Sequence, residues 1–216
     1  MKKRIIAIDG PAGSGKSSVS KQVARKLGYG YLDTGAAYRA LAWASLENPR
    51  FSLEQIANLD LDQEFAFSIS LDPDGYLVKV GEVDVTQEIR LPRVAEYVSK
   101  IAAIATVRSF MKRLTEKLVS ECEYPGVVVE GRDITTVVFP NADIRLLLTA
   151  SEEVRLKRRS AELTQEQAKS LTGQVSERDA SDSKVVEFMT PTAGVHLVDT
   201  SDLDFEESVD AVLALI

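Results

Sequence analysis

The sequence predicts an α/β protein, with a central parallel sheet covered by helices and a small antiparallel sheet inserted into it. Three observations carry this reading. Short apolar runs alternate with helical stretches, the pattern of strands buried on both faces between helices. The run at residues 4–8 passes through a glycine-rich turn directly into a helix. Residues 64–90, "EFAFSISLDPDGYLVKVGEVDVTQEIR", break the alternation with a period of two. A chain of 216 residues can bury one sizeable core with a small appended module.

The elements follow in order. Residues 4–8, bounded by Gly10 and Pro11, read as a buried strand. Residues 16–27 have helical spacing, with Val19, Val23, Ala24 and Leu27 on one side and Gly28 and Gly30 stopping the helix. A strand at Tyr31 and Leu32 leads into the helix "TGAAYRALAWASLE". In the inserted segment Phe65, Phe67, Ile69 and Leu71 share a side, Asp72, Pro73, Asp74 and Gly75 supply a turn, and Val78 and Val80 follow. An edge hairpin of the main sheet is the alternative there. Residues 107–119 form an amphipathic helix whose Val107, Phe110, Met111, Leu114 and Leu118 read as core. Further strands are expected in "VVVE" at 127–130, "IRLLLT" at 144–149 and "VHLV" at 195–198. The last of these carries His196, read as a core or edge residue and not a catalytic one. The tail "DLDFEESVDAVLALI" reads as a helix with an acidic start, packed on the sheet through Phe205, Val209, Val212 and Leu213.

Hydrophobic content of 44% and charged content of 27% describe an ordinary soluble globular chain. A net charge of -7 argues against nucleic-acid binding, so an anionic ligand must be met by local positive charge. Candidates are Lys16, Arg39, Arg90, Arg93, Arg108, Arg132, Arg178 and the cluster Arg155, Lys157, Arg158 and Arg159. The single cysteine, Cys122, excludes an internal disulfide framework and suits a reducing compartment. The apolar run after the basic start stops at Asp9, too soon for a secretory signal, and no later stretch approaches a membrane span. The expectation is a cytoplasmic monomer with no membrane or nucleic-acid partner, acting on small-molecule nucleotides.

The turn "GPAGSGKS" matches G-x-x-x-x-G-K-[ST] between an apolar strand and a helix, the context this motif requires. Glycine permits the path on which successive backbone N–H groups converge on phosphate oxygens, and the helix N-terminus adds donors and a favourable dipole. The expected fold is therefore the phosphate-loop NTPase fold. Gly10, Pro11, Ala12, Gly13, Ser14, Gly15, Lys16, Ser17 and Ser18 are the candidate ATP-binding residues, with Lys16 at the β- and γ-phosphates and Ser17 on Mg²⁺. No guanine-selecting Asn-Lys-x-Asp stretch occurs, which argues against a switch GTPase. Many scattered arginines in a compact chain favour a kinase for a small phosphorylated acceptor.

Two further stretches sit at strand ends, where open α/β sheets place ligands. "LDTGAAYR", residues 32–39, offers Asp33, Thr34, Tyr38 and Arg39; Asp33 either holds a metal-bound water or caps the following helix. "VVVEGRD", residues 127–133, offers Glu130, Arg132 and Asp133. With the loop, the "EIR" at 88–90, the "RLKRR" at 155–159, the "ERDASDS" at 177–183 and "VDTSDL", these stretches make the chain resemble, over nearly its whole length, the bacterial cytidylate kinases.

The resemblance implies phosphoryl transfer from ATP to CMP or dCMP. It places Thr34 and Arg39, with Tyr38, at the CMP phosphate or its surroundings, Ser99 and Asp133 at the cytosine ring, and Arg108 and Arg132 beside the acceptor. Arg178 matches an arginine at the transferring phosphates and Asp182 an aspartate at the acceptor sugar. Asp33 and Glu130 are implied metal neighbours through water. It also divides the chain into core segments 1–61, 105–150 and 185–216, an inserted CMP-binding module at 62–104 and a lid at 151–184. The residues agree chemically: a carboxylate accepts from the exocyclic amino group of cytosine, and uracil presents a carbonyl there instead. No general base is needed, because a phosphate oxygen is already nucleophilic.

The chain departs from the family pattern in four places. Glu130 stands where aspartate is usual, and the pair usually Gln-Arg falls in "RLTEK" at 113–117. The lid is shorter. "RDASDSKVVEFMTP" lacks its final arginine, with Val185 in that place by count or Lys184 if one residue is deleted. Lys184 is the candidate replacement cation. The alternatives are a kinase for UMP or AMP, and a nucleotide-binding regulatory protein with weakened catalysis.

Overall fold

The opening apolar run forms β1 (Arg4–Asp9), in which Ile6, Ala7 and Ile8 have no exposed surface, as a strand covered on both faces requires. The computed structural model describes residues 3–161 and 190–216. Beside β1 lie β2 (Gly30–Asp33), β6 (Gly126–Gly131), β7 (Ile144–Thr149) and β8 (His196–Asp199), in the order β2-β6-β1-β7-β8. β1 runs parallel to β6, Ile8 opposite Glu130, and parallel to β7, Ile8 opposite Leu146. β8 closes the far edge parallel to β7. His196 is exposed on that edge strand.

The chain divides into two compact units, Met1–Tyr31 with Tyr124–Ile216, and Leu32–Glu123. In the first, α1 (Lys16–Leu27) ends at Gly28, whose φ of 66° and N–H bonds to the Ala24 and Arg25 carbonyls close the last turn. The tail helix, labelled α8 (Phe205–Leu213), carries a capping box in which Asp204 and Glu207 bond each other's backbone N–H groups. It packs against α1, where Lys26 reaches Glu206 at 3.4 Å and Asp210 at 3.1 Å. Val209 and Val212 are fully buried as expected, but Phe205, in the first turn, is 45% exposed. α7 (Glu152–Ala161) follows β7.

The second unit begins with α2 (Thr34–Glu47), capped by Asp33, and continues through short helical turns α3 (Leu53–Ile56) and α4 (Leu61–Glu64). The inserted segment forms a separate antiparallel sheet, not an edge hairpin of the main one. It comprises β3 (Phe67–Ile69), β4 (Val78–Val80) and β5 (Val83–Asp84), with Phe67 opposite Val80 and Lys79 opposite Asp84. The turn at 72–75 closes with Gly75 N–H on the Asp72 carbonyl and Asp74 N–H on the Asp72 carboxylate at 2.8 Å. Helices α5 (Pro92–Ala102) and α6 (Ala105–Glu121) follow. On α6, Val107, Phe110 and Met111 are buried, and the Phe110 ring meets Phe65 edge-on at 6.2 Å. Among the described residues no helix is long and apolar enough to cross a membrane.

Candidate active site

The loop from Gly10 to Ser18 is held by close backbone packing. A Cβ on Gly10 would stand 2.1 Å from the Leu148 carbonyl oxygen, so only glycine lets the loop leave β1 this close to β7. Gly13 and Gly15 have φ of 75° and 85°, and a Cβ on Gly13 would meet the Arg155 carbonyl oxygen at 2.6 Å. Gly13→Ala is therefore expected to lower stability by at least about 1–2 kcal/mol, the ordinary cost of a left-handed L-residue. Denaturant unfolding of the variant checks this.

Lys16 Nζ donates to the Pro11 carbonyl at 3.3 Å, so the ammonium folds back over the loop. The Ser14 hydroxyl is buried, with no hydrogen-bond partner among the described residues. Ser17 Oγ donates to Glu130 Oε2 at 3.0 Å, and the Tyr31 hydroxyl donates to Glu130 Oε1 at 2.7 Å. Glu130 is only 2% exposed, a carboxylate fixed at the end of β6 by hydroxyls from α1 and β2. Its extra methylene relative to aspartate still lets it reach Ser17.

Asp9, at the end of β1, accepts from Ile134 N–H at 2.9 Å and from Thr135 N–H and Oγ1 at 2.8 and 2.6 Å. Burial pushes its carboxyl above the usual carboxylate range, against the pull of those donors and of the Lys16 charge. Arg132 Nη1 donates to the Gly10 carbonyl at 2.5 Å. Asp9 and Arg132 thus tie the start of the loop to the segment that carries Asp133. Sequence reasoning missed Asp9, although a lone acid closing an apolar strand beside the motif was a usable signal. Two arginines of the basic cluster brace the same loop. Arg155 donates to the Ala12 carbonyl at 3.0 Å, and Arg158 to the Ser14 carbonyl at 3.2 Å and the buried Thr200 Oγ1 at 2.9 Å.

The second unit assembles another charged group. Asp33 Oδ1 accepts from Ala36 N–H at 3.1 Å, capping α2, while Oδ2 accepts from Arg39 Nη2 at 2.7 Å and the Tyr76 hydroxyl at 3.1 Å. Burial would raise the Asp33 carboxyl. The Arg39 charge and hydrogen bond, the Arg90 charge and the Tyr76 hydrogen bond together outweigh it and hold the carboxyl below its usual range. Thr34 is buried at the first helical position, and Tyr38 is half-buried. Ser99 and Arg108 are half-buried on α5 and α6. Arg178, Asp182 and Lys184 lie outside the described residues.

A parallel α/β sheet whose first strand delivers a glycine-rich loop to a helix, with a loop lysine and a serine–carboxylate pair beside it, defines a phosphate-loop nucleotide-binding protein. A family model described as cytidylate kinase matches residues 6–216, and the chain belongs to that family, a branch of the nucleoside monophosphate kinases. It is 39% identical over 213 residues to the cytidylate kinase of Streptomyces avermitilis, covering 98% of this chain and 92% of that one. It is 41% identical over 227 residues to the cytidylate kinase of Desulfitobacterium hafniense, covering 100% of this chain and 94% of that one. An uncharacterized protein from Eubacterium ventriosum of known structure is 13% identical with a TM-score of 0.50, covering 98% of this chain and 97% of that one, a likeness of fold alone.

Proposed function

We propose that this chain transfers the γ-phosphoryl group of ATP to CMP and dCMP, forming CDP and dCDP by in-line displacement. The observation that carries the reading is the pair of ties that Asp9 and Arg132 make between the phosphate loop and the segment bearing Asp133. The two segments so tied carry the donor-phosphate loop and a carboxylate suited to the amino group of cytosine. Ser14, Lys16 and the loop N–H groups bind the donor phosphates. Arg39 and Thr34 receive the acceptor phosphate, and Ser99, Arg108, Arg132 and Asp133 orient the acceptor. The acceptor's phosphate oxygen needs no base, so positioning and charge compensation supply the acceleration.

Ser17 and Glu130 are the residues that would hold Mg²⁺, one hydroxyl and one carboxylate already 3.0 Å apart. Hard oxygen donors of this kind fit a cation that keeps most of its shell as water and phosphate oxygen. Bound there, it would neutralise charge on the β- and γ-phosphates. Asp33 is better read as the α2 cap and the partner of Arg39, since its two oxygens already accept three hydrogen bonds. Glu130→Gln keeps the shape and removes the charge, and should raise the Mg²⁺ concentration for half-maximal rate by roughly tenfold or more. A magnesium titration at saturating nucleotides checks it, and an unchanged midpoint would remove Glu130 from the set.

A coupled ADP-release assay across CMP, dCMP, UMP and AMP tests the function. Preference for CMP and dCMP is expected. Preference for UMP or AMP would overturn the assignment of acceptor, and nucleotide occupancy without ADP release would identify a regulatory protein.

A further inference from the structure

The charged group in the second unit contains a residue that neither sequence motif supplies. Tyr76 lies between the turn at 72–75 and β4, far along the chain from α2. Its hydroxyl donates to Asp33 Oδ2 at 3.1 Å, the same oxygen that accepts from Arg39 Nη2 at 2.7 Å. The guanidinium carbon of Arg90 stands 5.2 Å from the centroid of the Tyr76 ring, within range of a cation–π contact. One side chain of the inserted segment therefore touches the carboxylate that holds one arginine and carries a second arginine on its ring.

We propose that Tyr76 is a positioning residue for the acceptor's phosphate. Its hydroxyl fixes the Asp33 oxygen that orients Arg39, and its ring seats Arg90 beside the same carboxylate. The inference rests on the proposed function, in which Arg39 receives the acceptor phosphate.

The chemistry explains why a tyrosine serves. A carboxylate oxygen that accepts a neutral O–H as well as a guanidinium N–H grips the guanidinium less tightly. It is also held in one rotamer, with Oδ1 fixed by Ala36 N–H. The remaining N–H groups of Arg39 then point in a set direction. One carboxylate against two guanidiniums leaves surplus positive charge, as a phosphate dianion requires. Burial, and then the Asp33 charge, raise the Tyr76 phenol above its usual value, so the hydroxyl remains a neutral donor. Without it, Asp33 is free to draw Arg39 toward itself in competition with the phosphate.

Steady-state kinetics of Tyr76→Phe separates this role from packing, because phenylalanine keeps the ring under Arg90 and removes only the hydroxyl. KM for CMP should rise about fivefold to tenfold, with kcat near parental, KM for ATP unchanged and the melting temperature lowered by no more than about 2–4 °C. In an Arg39→Ala background the same substitution should add no further rise, since it acts through Arg39. Tyr76→Leu, which also removes the ring, should raise KM for CMP further. An unchanged KM for CMP in Tyr76→Phe, an equal rise for ATP, or the full rise persisting without Arg39 would each overturn the proposal. The acceptor panel on the parental protein is read separately. If UMP or AMP were preferred, the proposed function would fall and the Tyr76 comparison would be made on that acceptor. No turnover with any of them would overturn both.

Discussion

Lys16→Ala is expected to abolish phosphoryl transfer, with kcat/KM falling by roughly 10³-fold, the loss that follows removal of one preorganised group from a developing anion. The fold should survive. Lys16 is half-buried at the start of α1, and its ammonium donates a 3.3 Å hydrogen bond to the Pro11 carbonyl. Losing one such bond in a loop costs about 1 kcal/mol of stability, while losing a positive charge beside the transferring phosphoryl group removes an interaction that grows in the transition state. Lys16→Arg should not restore the rate, since a planar fork does not replace a compact point charge in a loop of this curvature. Near-parental turnover of Lys16→Ala, with an unchanged thermal melt, would show that the donor phosphates bind elsewhere.

Asp133→Ala should collapse the preference for CMP over UMP, by about 10²-fold or more in the ratio of kcat/KM values, while KM for ATP changes little. A site built to pair with an amino group rejects the analogue that presents a carbonyl, and ratios of this kind reach about 10⁴ in the best cases. The backbone around Asp133 is held by main-chain hydrogen bonds and by Asp9. The Asp133 carbonyl accepts from Val137 and Val138 N–H at 2.9 and 3.1 Å, and Asp9 holds the next two residues. Truncation should therefore alter recognition and not the course of the chain. An unchanged ratio would mean that other groups read the base.

The features visible in the sequence are those whose determinants are neighbours along the chain. The strand, loop and helix at residues 4–27, the helix Thr34–Glu47 and the strand Ile144–Thr149 follow from local apolar period and glycine punctuation. The third inserted strand, Val83–Asp84, has two residues and so no period to detect. In the sequence Phe205 reads, with Val209, Val212 and Leu213, as packing on the sheet. Its place in the first helical turn leaves it 45% exposed, a consequence of where α8 packs and not of its spacing. The contacts of Asp9 with Thr135, Tyr76 with Asp33 and Tyr31 with Glu130 join residues 126, 43 and 99 positions apart. Each side chain has a bland local reading as a strand-end acid or a half-buried aromatic. Only the register of β1 against β6, the adjacency of β2 and β6 and the placing of the inserted sheet give them partners.

The central claim is that the γ-phosphoryl group of ATP passes to a phosphate oxygen of CMP. Phosphorus NMR of the protein mixed with ATP, magnesium and CMP follows every phosphate in one sample. The account predicts that the γ-phosphate signal of ATP decays as the two phosphates of CDP grow in equal measure, with CMP consumed at the same rate and dCMP behaving likewise. Decay of ATP into inorganic phosphate with CMP intact, or no decay while both nucleotides are bound, would contradict it.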